Sequence, residues 1–429
     1  MAEQKWFAGV DWASQTHQAS LLDGEGAERG NEVFAHSGTG LSAMADWLIR
    51  SAGMPAERIG VAIETPRGPV VESLLARGFA VYSINPKQLD RFRDRFSPAG
   101  AKDDRRDARV LASALRSDPD CLHRVRASDP VTVEMREWSR GLDELKGDRV
   151  QLTNRMGELL WRYYPQFTRT LEDLAAPWVL AVWKRAPNPA AARGMRVSSY
   201  DKLLKKHRIR RFDGTRLKRR LAERPLDVDP ASARAVEERV RLLVERLQVV
   251  NKQIADAEGR LDAFLDQLGN AGPAPGGDGD PQPGQAPEQR DATILRSMPG
   301  VGRVVLATLL AEADDALRRR DYHALRCQSG IAPVTRQSGR STLVTRRLAA
   351  HGRLRVAVCH LARVAAQHDP VCKARYQALR ARGHGHHRAL RSVADRLLKV
   401  ACAMLRDGTP YDPARAVMRH ASSGAANAA

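Results

Sequence analysis

The chain has 429 residues, 43% of them hydrophobic and 5% aromatic, and its 70 lysines and arginines against 50 acids leave a formal charge of +20. Such a length carries two or three domains with real cores, and such a charge calls for a polyanionic partner, because lysine and arginine displace the counterions condensed on phosphates. The same figures exclude the charge balance of an ordinary metabolic enzyme and a grip on single strands mainly by base stacking.

The five cysteines, Cys121, Cys327, Cys359, Cys372 and Cys402, are scattered and form no CxxC pair, so neither a disulfide framework nor a zinc ribbon is indicated. The opening MAEQKWFAGVDWAS has no basic-then-apolar leader and no apolar run reaches spanning length. A soluble protein of a reducing cytoplasm, associated with the nucleoid and not with a membrane, is expected.

Trp6–Trp12 reads as a buried strand carrying Asp11, with Gln18–Leu22 and Glu32–Phe34 as its partners. Leu41, Met44, Trp47 and Leu48 give a helix over Gly40–Ser51. Ile59–Ile63 is a short apolar strand that ends at Glu64. A helix over Val70–Arg77, a strand over Ala80–Ile84 and a helix opened by Pro86 follow. The order implies an α/β first domain, a mixed sheet with helices on its faces.

The stretch Ala101–Ala108 sets Asp103, Asp104 and Asp107 among Lys102, Arg105, Arg106 and Arg109. If it opens a helix, Asp104 and Asp107 project from one face, where two carboxylates can hold a divalent metal and the cations beside them a polyanion. A solvated helix start would carry a similar mixture. Asp11 and Glu64, at strand ends, join the pair if the fold brings them there.

From Val131 to Tyr164, and again over Ala233–Leu268, apolar residues recur at three- and four-residue steps. Two such helices make an antiparallel hairpin or a coiled coil to another subunit, or the core of an ordinary bundle. Between them lie KLLKKHRIRRF (Lys202–Phe212) and RLKRRL (Arg216–Leu221), a solvated face or a folded segment set against a phosphate backbone or structured RNA, the latter favoured by the overall charge. Asn270–Gln289, rich in glycine and proline, reads as a flexible linker.

Beyond it, PGVG at Pro299–Gly302 before an apolar helix resembles the turn of a helix-hairpin-helix element, whose amides can bind phosphate. Ile331–Arg347 reads as a basic loop in which Ser338 and Gly339 stand between Arg336 and Arg340. A serine attacking phosphorus needs such cations for the non-bridging oxygens. The HGHH cluster of His384, His386 and His387 reads as a loop and helix start, without an acid or cysteine to complete a metal site. The expected domains are 1–128 (catalytic), 129–270 (helical connector with a basic insert), 271–290 (linker), 291–415 (mostly helical) and 416–429 (disordered tail).

The set GVDWAS, AIET and KDDRRDAR resembles the DEDD-type insertion-sequence transposases, a group that includes Piv-type invertases and bridge-RNA-guided recombinases. SMPGVG, SGIAPVTRQSG, HGRLR and LRDGTPYD are similar to that family's second module. The resemblance implies a RuvC-like form of the ribonuclease H fold for the first domain. It also implies Mg²⁺ or Mn²⁺ on Asp11, Glu64, Asp104 and Asp107, and a nucleophilic serine at Ser338, with Ser329 a weaker rival. Phosphate contacts are expected from Lys102, Arg105, Arg106, Arg336 and Arg340. The family pattern has threonine where Asp103 stands, so the role of Asp103 is open. Implied partners are target and donor DNA, a guide RNA and further copies of the chain, as a homodimer or homotetramer. Rival readings are a two-metal nuclease that uses water and a non-enzymatic nucleic-acid-binding protein.

Overall fold

In the computed structural model, the run Trp6–Trp12 forms strand β1, and its side chains divide strictly between two faces. Residues 5–96, 103–126, 130–269, 287–339 and 341–413 are described, and Lys102 and Arg340 lie outside them. Contacts divide the chain into two units, Met1–Ser128 and Asp129–Ala429.

The first unit contains β1, β2 (Thr16–Leu22), β3 (Glu28–Ala35), α1 (Gly38–Ala52), β4 (Ile59–Ile63), α2 (Pro69–Ala76), β5 (Ala80–Ser83), α3 (Pro86–Asp94), α4 (Asp104–Ser117) and β6 (His123–Arg124). Its sheet has the order β3-β2-β1-β4-β5-β6, parallel from β1 through β4 to β5 and antiparallel at both margins. Ala8, Val10, Val61 and Ile63 pack with α1 and α2 on one face, while Ala62 packs with Val110 and Leu111 of α4 on the other. Period-two alternation thus serves two helical layers at once.

Gly9 belongs to the α4 face. A Cβ there would stand 1.9 Å from the Ala108 carbonyl oxygen and 2.5 Å from the Ala112 nitrogen, so the helix lies directly on the strand. Near its far end, Arg116 donates to the Gly24 carbonyl at 3.5 Å, beside the start of β1, where Phe7 pairs with Leu22. Helix α4 therefore runs antiparallel to β1, and its first turn sits at the strand's carboxyl end. Gly9→Val is expected to force the helix away and to lower stability by about 2 kcal/mol or more, the cost of overpacking against backbone. A urea unfolding midpoint unchanged from wild type would contradict this packing.

The second unit comprises α5 (Pro130–Tyr163), α6 (Pro165–Thr170), α7 (Pro177–Arg185), α8 (Pro189–Gly194), α9 (Val197–Lys206), α10 (Gly214–Leu221), α11 (Pro230–Gly269), α12 (Pro287–Arg296), α13 (Arg303–Glu312), α14 (Asp314–Arg318), α15 (Tyr322–Gln328), strands β7 (Val334–Ser338) and β8 (Ser341–Thr345), α16 (Gly352–His368), α17 (Pro370–Ala381) and α18 (His386–Asp407). Met135 and Leu142 share a core with Ile254–Leu268, and Leu152–Leu160 with Val236–Leu247, so α5 and α11 run antiparallel within one chain. One end of this pair carries the cluster α6–α10 and the other packs with α12, α13, α16 and α18. Ion pairs bind that second end: Arg140 makes two bonds of 2.9 Å to the buried Glu312, which Arg353 also meets.

One expectation changes here. The Ile331–Arg347 loop contains a β-hairpin, in which Ser338 pairs with Ser341. The PGVG turn packs against α16. Gly300, at φ 85°, leaves no room for a Cβ against the Leu361 carbonyl, and the Val301 and Gly302 amides donate within the turn.

Candidate active site

Two strands and one helix start meet at the carboxyl end of the sheet's centre. Gly9 and Asp11 share a face of β1, because side chains two apart point the same way. Val10 pairs with Ile63, so Asp11 and Glu64, which follows directly after β4, each stand one residue beyond the last paired step of these parallel strands. Both are half-buried. The small residues Gly9 and Ala62 beneath α4 let its first turn approach this edge, which brings in Asp104 and Asp107.

That turn is fixed by its cap. Asp103 stands just before the helix in extended backbone and accepts from the Arg105 amide at 3.2 Å, satisfying a donor with no partner inside the helix. Threonine fills the same role, which accounts physically for an aspartate at this position. Asp104 and Arg105 are exposed, Arg106 is half-buried, and Asn31 donates to the Arg105 carbonyl at 3.3 Å.

Asp107 is only 1% exposed, and its partner is a cation absent from the sequence-based site. Arg93 of α3 grips it with both ends of the guanidinium, Nε to Oδ1 at 2.7 Å and Nη2 to Oδ2 at 2.9 Å, and reaches Asp90 at 2.5 Å through Nη1. Burial works to lower the Arg93 pKa, but the bonds to Asp107 and then Asp90 outweigh it and raise the value. Nearby, where His17 pairs with Trp12, burial and then the neighbouring His36 lower the His17 pKa. This histidine stays neutral at neutral pH and adds no cation to the edge.

The donor set suits a hard divalent cation, since all four candidate ligands are carboxylates. Their elements converge, but among the described residues no three acidic, histidine or cysteine side chains close on one point. Asp107 is engaged by the Arg93 guanidinium. His384, His386 and His387 form no such group either, and His386 instead faces the Tyr376 hydroxyl at 2.8 Å.

In the second unit, Ser338 is exposed at the hairpin tip, followed by Gly339 at φ 54° in the left-handed region. Arg336, also exposed, lies two residues back on the same face of β7. The Ser338 hydroxyl makes no hydrogen bond to a described residue. Ser329 is its opposite. It is fully buried, and its hydroxyl donates to the Leu325 carbonyl at 2.8 Å, so it serves the end of α15. The hairpin exposes both its faces, and no helix among the described residues is long and apolar enough to cross a membrane.

A transposase family model of the DEDD type matches residues 8–165, and the model for the transposase IS116/IS110/IS902 family matches residues 292–377. A candidate transposase, y4uE, from Sinorhizobium fredii is 55% identical over 208 residues, 48% of this chain and 58% of the relative, so that match spans less than two thirds of the protein. The candidate mini-circle transposase for IS117 from Streptomyces coelicolor is 29% identical over 419 residues, covering 96% of both chains. The 44.8 kDa protein of insertion element IS116 from Streptomyces clavuligerus is 27% identical, covering 97% of this chain and 98% of its own.

Proposed function

The chain belongs to the IS116/IS110/IS902 family of insertion-element transposases, and on that premise we propose that it cuts and rejoins DNA strands through a transient phosphoserine link at Ser338. In this reading the Ser338 oxygen gives up its proton and bonds to a backbone phosphorus, the bond from phosphorus to the 3′-oxygen breaks, and that oxygen takes up a proton and leaves as a 3′-hydroxyl. A 3′-hydroxyl of another strand then attacks the same phosphorus and expels Ser338. Each phosphodiester is conserved, so no high-energy cofactor is consumed. Arg336 faces the same side as Ser338 and is suited to the non-bridging oxygens.

The observation that carries the reading is that Asp11 and Glu64 lie at neighbouring strand ends, on the sheet edge that Gly9 lets the first turn of α4, with Asp104 and Asp107, approach. Asp11, Glu64, Asp104 and Asp107 would hold Mg²⁺ or Mn²⁺, which stabilises charge on the phosphate and the leaving oxygen. The sheet order β3-β2-β1-β4-β5, antiparallel and then parallel, supports a RuvC-like ribonuclease H form for this unit. The +20 charge supports DNA and a structured guide RNA as partners. Exposed Val150, Leu242 and Val249 on the α5–α11 pair support self-association as a dimer or tetramer.

Arg93 gives this reading a test that does not depend on turnover. Arg93→Leu strands a buried carboxylate and is expected to destabilise the chain by about 2 kcal/mol or more without metal. Mn²⁺ is then expected to raise the melting temperature of the variant by more than that of the wild type, because it takes the place of the lost cation. Equal Mn²⁺ shifts in both proteins would count against a metal at Asp107.

A second reading draws on all four acids belonging to the unit Met1–Ser128 while Ser338 belongs to Asp129–Ala429. The first unit then hydrolyses DNA with water as nucleophile. Digestion in ¹⁸O-labelled water separates the two, since only hydrolysis places the label on the released 5′-phosphate.

A further inference from the structure

The α6–α10 cluster shares a core with the adjoining ends of α5 and α11, and its cations have no part in the strand-transfer reading. On α9, Tyr200, Leu203 and Leu204 are buried while Lys202, Lys205 and Lys206 are exposed. On α10, Leu217 and Leu221 are buried, Arg216 and Arg219 exposed and Arg220 half-exposed. The spacing on each helix is i, i+3, i+4, so each presents one apolar and one cationic face. The connection adds exposed Arg208, at φ 56°, and Arg210.

Acids that would neutralise this face are used elsewhere. Asp201 accepts from the Gly214 amide at 2.8 Å and Asp213 from the Arg216 amide at 2.7 Å, both fixing the start of α10. None of Lys205, Lys206, Arg208, Arg210, Arg216 and Arg219 has an ion pair among the described residues. Some cations elsewhere in the unit are paired: Lys146 with Glu258 at 3.0 Å, Arg149 with Asp173 at 3.4 Å, Arg241 with Glu238 and Glu245 at 2.8 and 3.2 Å. Like charges at i, i+4 work against a helix, so a face of this kind is maintained against its own repulsion.

We propose that the outer face of α9 and α10, with the turn between them, is a docking surface for the phosphate backbone of double-helical nucleic acid. Backbone contact is favoured over single-strand stacking because the aromatic rings beside these cations face inward. Trp178 and Tyr200 are buried, Phe212 is half-buried, and Arg211 lies over the Trp178 and Phe212 rings at 5.8 and 5.4 Å. The surface reads charge spacing and carries no base readout of its own. It stands independently of the serine chemistry and survives if Ser338 proves not to be the nucleophile.

The test uses the full chain with Lys205→Gln, Lys206→Gln, Arg210→Gln and Arg219→Gln combined. Probes are a DNA duplex of arbitrary sequence, the RNA duplex of the same sequence and a single strand, each titrated at graded salt. For at least one duplex the variant is expected to bind about tenfold or more weakly at moderate salt. The slope of log affinity against log salt should become shallower by roughly three to four, near 0.9 per lost phosphate contact. The duplex that responds identifies the partner as DNA or RNA. A paired-cation control, Arg149→Gln with Arg241→Gln, should keep the wild-type slope, and a second set, Lys202→Gln, Arg208→Gln and Arg216→Gln, should repeat the effect independently. Wild-type slopes for both duplexes, an equal loss on the single strand, or an equal loss in the control would each overturn the proposal.

Discussion

Asp11→Asn is expected to reduce strand transfer about 10³-fold, the equivalent of roughly 4 kcal/mol of transition-state stabilisation. The substitution keeps the size and the main-chain pairing with Gln18 and removes one charge from a half-buried strand end. If Asp11 is a metal ligand, Mn²⁺ affinity measured by calorimetry falls with activity, while the urea midpoint moves little. An Asp11→Asn protein with undiminished Mn²⁺ affinity would remove this residue from the site. Asp103→Asn is a useful contrast, because asparagine caps a helix as well as aspartate does.

The second large effect is at Ser338. Ser338→Ala is expected to lower strand transfer by on the order of 10⁴-fold, since without the oxygen there is no atom to carry the phosphate between strands. Folding should be unaffected, because Ser338 is exposed at a hairpin tip and its hydroxyl bonds to no described residue. Ser329→Ala tests the rival. It removes a buried hydroxyl that donates to the Leu325 carbonyl, so its expected cost is about 1 kcal/mol of stability with strand transfer retained. The two serines both precede a glycine, and only their surroundings tell them apart.

Much of the first unit is legible in the sequence because its strands are buried on both sides. Trp6–Trp12 and Ile59–Ile63 read at their observed bounds, each a short apolar run closed by a polar turn. Strand β3 begins at Glu28, earlier than its apolar signal, because Glu28 and Gly30 pair with Leu22 and Leu21 of β2, with Arg29 at an irregularity between them. The β7–β8 hairpin was not legible. Thr335, Arg336, Gln337 and Ser338 are all exposed, so no alternation marks the strand. The short helices of the basic cluster were hidden by their charge, although Leu203, Leu204, Leu217 and Leu221 carried the signal at helical spacing.

For the candidate site, the four acids are readable as residues, but the bonding of Asp107 to Arg93 is not. Arg93 lies in the run RFRDRF, where four neighbouring arginine and aspartate residues look interchangeable. Its choice of Asp107 depends on how α3 packs beside α4, a long-range outcome that composition does not encode. Asp103 is the converse case. Its extended backbone and bond to the Arg105 amide give it a capping role that spacing alone does not show.

The central claim is that Ser338 carries the phosphate. The most direct test incubates the protein with a DNA substrate nicked beside the cleavage position, so that the reverse reaction is blocked, then denatures, digests and maps the attached nucleotide by mass spectrometry. The account predicts a phosphodiester link on the peptide containing Ser338, absent in Ser338→Ala. Cleaved DNA with no protein-bound nucleotide, or a link on another residue, would contradict it.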